Sequence, residues 1–206
     1  MTAMQEAEAI DTEIAAGLLN RMAAGSEAAL REFYQAFHGR VYAFALRRLR
    51  NPADAADVLN EVMLEAWRSA ARFEGRSQVL TWVLGIAHHK IIDNLRRQKS
   101  HLLDELDPEI ADDDSPTAFD ALAGSQDSAQ LRRCLEGLSD THRLIVHLAF
   151  FEDLAYEEIA KIADCPLGTV KTRMFHARRL LKRCLAGLNP RVVPADPEVS
   201  PQISHE

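Results

Sequence analysis

Between Lys99 and Arg132 the chain carries no Lys or Arg, while nine acids crowd the same interval: Asp104, Glu105, Asp107, Glu109, Asp112, Asp113, Asp114, Asp120 and Asp127. Pro108, Pro116 and Gly124 interrupt it further. A segment that repels itself and is broken by proline has little to bury, so 101–127 reads as a linker with at most a helical turn near Leu102–Leu106. The chain is therefore expected to fold as two modules instead of one continuous core. Fully extended, the linker would reach roughly 90 Å at about 3.3 Å per residue; as a relaxed coil it would span nearer 30 Å. Either length lets the two modules occupy positions a few tens of ångströms apart. The divisions that follow are a lead at 1–17, a module at 18–100, the linker at 101–127, a module at 128–188 and a proline-rich tail at 189–206, expected to be disordered.

Aromatic residues make up only 6% of the chain, so its cores are expected to be helical and built from Leu, Ile, Val and Ala. In the first module Ser26 can cap a helix whose Leu30, Phe33, Phe37, Val41, Phe44 and Leu49 trace one face. Asn51-Pro52 ends it, because the residue before proline is pushed out of helical geometry. Asp54 is the expected cap of the next helix, with Val58, Val62, Ala66 and Ala70 inward and Leu59, Met63 and Trp67 beside them. Glu74–Ser77 forms a loop, and a last helix runs from about Gln78 to Lys99, ending in cations that suit a helix C-terminus. In the second module Leu131, Cys134, Leu135 and Leu138 share a face. Ser139 can cap a helix that turns Leu144, Ile145, Leu148 and Phe151 to the core.

Residues 154–183 read as two helices around a tight turn. Tyr156, Ile159, Ala160 and Ala163 supply the buried face of the first, with Glu157, Glu158 and Lys161 outside. Asp164 sits where a left-handed residue is needed, and Asp tolerates that conformation. Pro166 stops the helix at Cys165, and Thr169 is the expected cap of the second helix. There Val170, Met174, Ala177, Leu181 and Cys184 form an apolar stripe. The same helix holds six cations (Lys171, Arg173, Arg178, Arg179, Lys182, Arg183) and no acid between Thr169 and Cys184. One apolar and one cationic face, held at an angle by a short turn, suit docking in a DNA major groove. The formal net charge of −7 does not oppose this, since removing the nine linker acids leaves +2. It does predict weak unassisted hold on free DNA.

Other chemistry is poorly supported. Cys134, Cys165 and Cys184 are far apart without metal-ligand spacing, which predicts a reducing compartment and argues against a disulfide framework or structural zinc. The N-terminus lacks signal-peptide pattern and no apolar run approaches bilayer length, so a cytoplasmic, non-inserted protein is expected. His88, His89 and Asp93 are weak metal ligands, because adjacent helical residues point about 100° apart. The acid run lacks the glycine and terminal glutamate of an EF-hand loop. No enzyme, metal or cofactor is expected.

Two separated motifs, DAADVLNEVMLEAWRSAARFEGRSQVLTWVLGIAHHKIIDNLRR (54–97) and LAYEEIAKIADCPLGTVKTRMFHARRLL (154–181), resemble bacterial RNA polymerase sigma factors of the extracytoplasmic-function class. The resemblance implies an all-α fold of two small domains, regions 2 and 4. It places Asp57, Asn60, Glu61 and Trp67 against the clamp coiled coil of the core polymerase largest subunit, with Asn60 standing where glutamine is usual. It assigns Phe73, Arg76, Ser77, Trp82, His88, His89, Lys90, Arg96 and Arg97 to the −10 promoter element, with base extrusion into a pocket. His89 stands where asparagine is common, a departure that bears on −10 preference. Lys171, Thr172, Arg173, Phe175 and His176 would read the −35 element, and Arg178, Arg179 and Lys182 would hold phosphates. Core RNA polymerase, promoter DNA and an anti-sigma protein are the implied partners. A stand-alone helix-turn-helix regulator is the alternative, but nothing in 18–100 resembles a signal-receiving domain.

Overall fold

The computed structural model describes residues 12–104 and 126–188, and among them every regular element is helical. The N-terminal unit comprises α1 (Thr12–Ala23), α2 (Glu27–Leu49), α3 (Pro52–Ser69) and α4 (Val79–Asp104), with a single 3-10 turn at Ala70–Arg72. The C-terminal unit comprises α5 (Gln126–Glu136), α6 (Asp140–Phe150), α7 (Tyr156–Ile162) and α8 (Leu167–Leu188). Most of the linker, including the turn expected near Leu102–Leu106 beyond Asp104, lies outside the described residues, as does the tail.

Helix boundaries follow local chemistry. Gly25 adopts φ +86°, and Ser26 Oγ accepts from the Ala29 N–H to open α2. Arg50 takes the left-handed conformation (φ 55°) and donates its N–H to the Leu46 carbonyl, closing the helix. Asn51, rather than Asp54, caps α3: its Oδ1 accepts from the Ala53 and Asp54 N–H groups at 2.8 and 3.3 Å. Pro52 at the first helical position loses no bond there and places Asn51 ahead of the helix, leaving Asp54 already inside it. The first helix starts at Thr12, ahead of the boundary drawn at Leu18, because Ala15, Leu18, Leu19 and Met22 form one buried face.

The core is one continuous cluster through both units. Phe33, Phe37, Val41 and Phe44 of α2 meet Val58, Val62 and Ala66 of α3 and Val83, Leu84, Ala87 and Ile91 of α4. Each Phe, Val, Leu or Ile among them contributes roughly 1.5–3 kcal/mol on burial. In the C-terminal unit Leu144, Ile145 and Leu148 of α6 pack under Ile159, Ile162, Val170, Met174 and Ala177. Phe151, expected in that core, is 42% exposed and stacks on His147 instead.

The cysteines correct a second expectation. Cys134 on α5 and Cys184 on α8 form a disulfide with Cα atoms 5.7 Å apart. Their sequence separation of 50 hides the pairing. Both lie on apolar stripes, and the packing of α5 on α8 brings those stripes together. Cys165 remains free and partly buried.

Candidate nucleic-acid interface

The turn at 163–166 sets the angle between α7 and α8. Asp164 has φ +44°, and the N–H groups of Ala163 and Cys165 donate back to the Ile159 and Ala160 carbonyls. Ala155 opens α7 without a side-chain cap, which costs typically ~1 kcal/mol. Thr169 does not cap α8. The helix begins at Leu167, and the Thr169 N–H already donates to the Pro166 carbonyl. Pro166, one position ahead of the helix, supplies the carbonyl that accepts from the Thr169 and Val170 N–H groups.

With Val170, Met174 and Ala177 buried, the other faces of α8 turn outward. Lys171, Thr172, Phe175, His176, Arg178, Arg179 and Lys182 are exposed, and Phe175 is 63% exposed. Arg173 is half-buried, with Nη1 3.7 Å from Cys165 Sγ. Arg178 lies 5.7 Å from the Phe150 ring and donates to Tyr156 Oη at 3.5 Å. The predicted −35 residues thus share one cationic surface.

The predicted −10 residues divide. Phe73 and Trp82 are half-buried with ring centroids 5.4 Å apart, forming an aromatic corner at the start of α4. Arg76 is exposed beside Glu74, and Ser77 is half-buried in the same loop. His89, Arg96 and Arg97 are exposed along α4. Lys90 lies 3.9 Å from both Glu61 and Glu65, and Arg97 lies 3.5 Å from Glu61. His88 leaves this set: it is 6% exposed and turns into the core. Burial, reinforced by Arg48 and His89, pushes its pKa down to about 4. The helical period explains the difference, since neighbouring residues 88 and 89 must face about 100° apart.

Folded His88 stays neutral while the unfolded chain protonates it near 6.5, so its contribution to stability is present above pH 6.5 and is lost as pH falls towards 4. Thermal unfolding between pH 7.5 and 4.5 should decline less steeply in His88→Gln than in the parent. Identical slopes would exclude the effect.

On α3, Asp57 and Asn60 are exposed, Glu61 is half-buried, and Trp67 packs its ring against the core. Leu64, 48% exposed on the same side, is a residue that the sequence reading missed. The signal was present, since positions 57, 60, 61 and 64 recur at helical spacing and one of them is apolar.

The two units are packed together. Lys161 Nζ of α7 donates to the Arg76 carbonyl at 2.9 Å, so the helix-turn-helix lies on the loop that carries the −10 candidates. Further along the seam, Glu152 is 7% exposed and its Oε1 lies 3.3 Å from His147 Nε2. Burial, the largest influence, lowers the His147 pKa, so the ring is neutral and its Nε2–H donates to Glu152. Arg47 Nη1 lies 3.3 and 3.4 Å from the two ring nitrogens of His147, over the face of the ring. Arg40 Nε, 3.9 Å from Glu152 Oε2, completes the charge balance. Among the described residues no group of three or more potential ligands could hold a metal, and no helix is long and apolar enough to cross a membrane.

Residues 33–101 match the family described as Sigma-70 region 2, and residues 128–181 match Sigma-70, region 4. The ECF RNA polymerase sigma factor SigK of Mycobacterium tuberculosis (H37Rv) is 32% identical over 171 residues, 82% of this chain and 91% of that protein. SigK of Mycobacterium ulcerans is 31% identical over the same lengths. Among solved structures, the sigma factor RpoE in complex with the anti-sigma factor NepR from Bartonella quintana aligns with TM-score 0.61 and 23% identity, covering 75% of this chain and 95% of that one. CnrH in complex with the cytosolic domain of CnrY aligns with TM-score 0.61 and 20% identity, covering 86% and 99%. These two likenesses concern the fold.

Proposed function

The chain belongs to the ECF RNA polymerase sigma factors, and from that premise we propose how its surfaces divide the work of promoter-specific initiation. The α3 face of Asp57, Asn60, Glu61 and Leu64, steadied by Trp67, docks on core RNA polymerase. The Phe73–Trp82 corner, with Arg76, Ser77, His89, Lys90, Arg96 and Arg97, takes the −10 element. The exposed face of α8 reads the −35 element, with Lys171, Thr172, Arg173, Phe175 and His176 towards the bases and Arg178, Arg179 and Lys182 on phosphates. An anti-sigma protein holds the chain back until it is released. The chain acts by binding and positioning, without catalysing a reaction of its own.

The observation that carries this reading is the sorting of α8 into a buried apolar stripe and an exposed cationic face, on a chain whose other unit presents a separate mixed face on α3. The match of the N-terminal unit to region 2 disfavours a stand-alone regulator. Reconstitution with core polymerase on a library of promoter fragments tests the proposal. Failure to bind core enzyme would end it, whereas core binding without promoter selection would remove only the DNA assignments.

Two substitutions separate reading from positioning. Lys171→Ala should cost about 1–3 kcal/mol on the preferred −35 sequence and relax preference there. Arg179→Ala should weaken all promoters about equally and lower the salt slope of binding by about 1. Holoenzyme titrations on matched and mismatched fragments at several salt concentrations give both quantities. Uniform loss from both variants would remove Lys171 from base contact.

A further inference from the structure

Two carboxylates of α3 converge on one cation of α4. Glu61 Oε2 and Glu65 Oε2 each lie 3.9 Å from Lys90 Nζ, and Glu61 Oε1 lies 3.5 Å from Arg97 Nη2. Glu61 and Glu65 are one helical turn apart on α3, and Lys90 and Arg97 are two turns apart on α4, so each pair shares a face. At the other end of the same seam Gln98 donates to Asp54 Oδ2 at 2.9 Å and to Asn94 Oδ1 at 3.0 Å. The α3 side of the seam is thus acidic, and it faces the stretch of α4 that carries Lys90 and Arg97. Glu65 belongs neither to the polymerase-docking face nor to the −10 set.

These ion pairs are loose. At 3.9 Å the Lys90 ammonium is beyond hydrogen-bond distance of either carboxylate. The side chains are 29% exposed at Lys90, 40% at Glu61 and 41% at Glu65, so water and salt weaken the attraction. A strand phosphate can therefore displace the carboxylates, but it must compete with them. Two acids against two cations leave this part of α4 with no net charge. Affinity for a nucleic-acid strand depends on how many cations are free to displace its counterions. In the free chain Lys90 and Arg97 are largely spent.

We infer that Glu65 is a positioning residue for the −10 contact: together with Glu61 it holds Lys90 against α3 in the free chain, and it yields Lys90 to a strand phosphate once Glu61 is taken up in docking. The inference rests on the −10 role proposed for Lys90 and the docking role proposed for Glu61. Glu61 links the two surfaces, since it lies on the docking face with Asp57 and Asn60 and also serves both cations. Once it is engaged elsewhere, only Glu65 competes with the strand for Lys90, and Arg97 loses its Glu61 contact.

Anisotropy titration of the single non-template strand of a selected promoter, against the free full chain and against the holoenzyme, tests this. Glu65→Gln should tighten binding by the free chain about two- to fivefold at low salt, the scale of one exposed ion pair, and steepen its salt dependence. The same variant should change holoenzyme binding by less than about twofold. Glu65→Asp, which keeps the charge on a shorter arm, should fall between parent and Glu65→Gln. Lys90→Gln should weaken the holoenzyme, and Glu65→Gln should have no effect in that background. Glu27→Gln, an equal change of charge at the exposed start of α2, should leave the free chain as it was. An unchanged free chain with Glu65→Gln would overturn the inference, as would an equal gain from Glu27→Gln or in the Lys90→Gln background. A holoenzyme indifferent to Lys90→Gln would instead remove Lys90 from the −10 set, and the inference would fall with that assignment.

Discussion

Reduction of the Cys134–Cys184 bond is expected to lower the unfolding free energy of the C-terminal helices by about 4 kcal/mol, the chain-entropy value for a closed loop of about 50 residues. The crosslink ties α5, the first helix of its unit, to the end of α8, so nearly the whole unit lies inside the loop. Without it, α5 is held by Leu135, by Leu138 just beyond its end and by the Gln130 side chain, which donates to the Leu185 carbonyl at 3.4 Å. Leu131 adds little because it is 41% exposed. The loss should therefore appear first as fraying of α5 and the end of α8. Urea unfolding with and without reductant measures it. Cys134→Ser and Cys184→Ser should each reproduce the reduced curve and no longer respond to reductant, whereas Cys165→Ser should leave the oxidised curve in place. Coincident oxidised and reduced curves would exclude a stabilising crosslink.

The disulfide also marks where sequence reasoning reaches its limit. Periodicity placed Cys134 and Cys184 on apolar stripes, and both stripes face inward. Which stripe meets which is a tertiary fact, invisible at a separation of fifty residues. Local signals served better. Ser26, Ser139 and Asp164 do what their chemistry predicts, because a cap or a left-handed turn is decided within four residues. Thr169 and Asp54 fail for an equally local reason. In each case a proline lies closer to the helix start and moves the boundary towards itself.

The site residues follow the same division. Lys171 through Lys182 reach the surface as a set because a 3.6-residue period fixes them opposite Val170 and Met174. His88 entered the DNA set by resemblance to a motif, and the same period removes it, since 84, 87, 88 and 91 all turn towards the core. Leu64 shares its helical spacing with Asp57, Asn60 and Glu61, but an apolar residue on a helix is ordinarily assigned inward. The acidic linker predicted separable modules. It carried no information on whether they would pack, because the shared apolar core and the cluster of Arg40, Arg47, His147 and Glu152 are contacts between units that form no local pattern.

Glu152→Ala is expected to cost about 3–5 kcal/mol, the range for removing one member of a buried charged cluster. The carboxylate faces a neutral His147, Arg40 and Arg47, and its removal leaves the guanidinium charges in a poorly hydrated seam. Arg40 and Arg47 belong to α2, whereas His147 and Glu152 belong to the C-terminal unit, so the loss falls on the packing between units. The variant should open the seam before either core melts, with a larger radius of gyration in solution scattering and an earlier first step in denaturant. Parting the units would also take Lys161 from the Arg76 carbonyl and uncover the loop at the start of α4. Glu152→Gln should fall between, since it still accepts from His147 but no longer balances the arginines. Replacing Arg40, His147 and Glu152 together by apolar residues of similar size should restore much of the loss, because the desolvation cost disappears with the charges. If Glu152→Ala matches the parent in both scattering and unfolding, the seam is held by its apolar contacts alone and the charged cluster contributes nothing to closure.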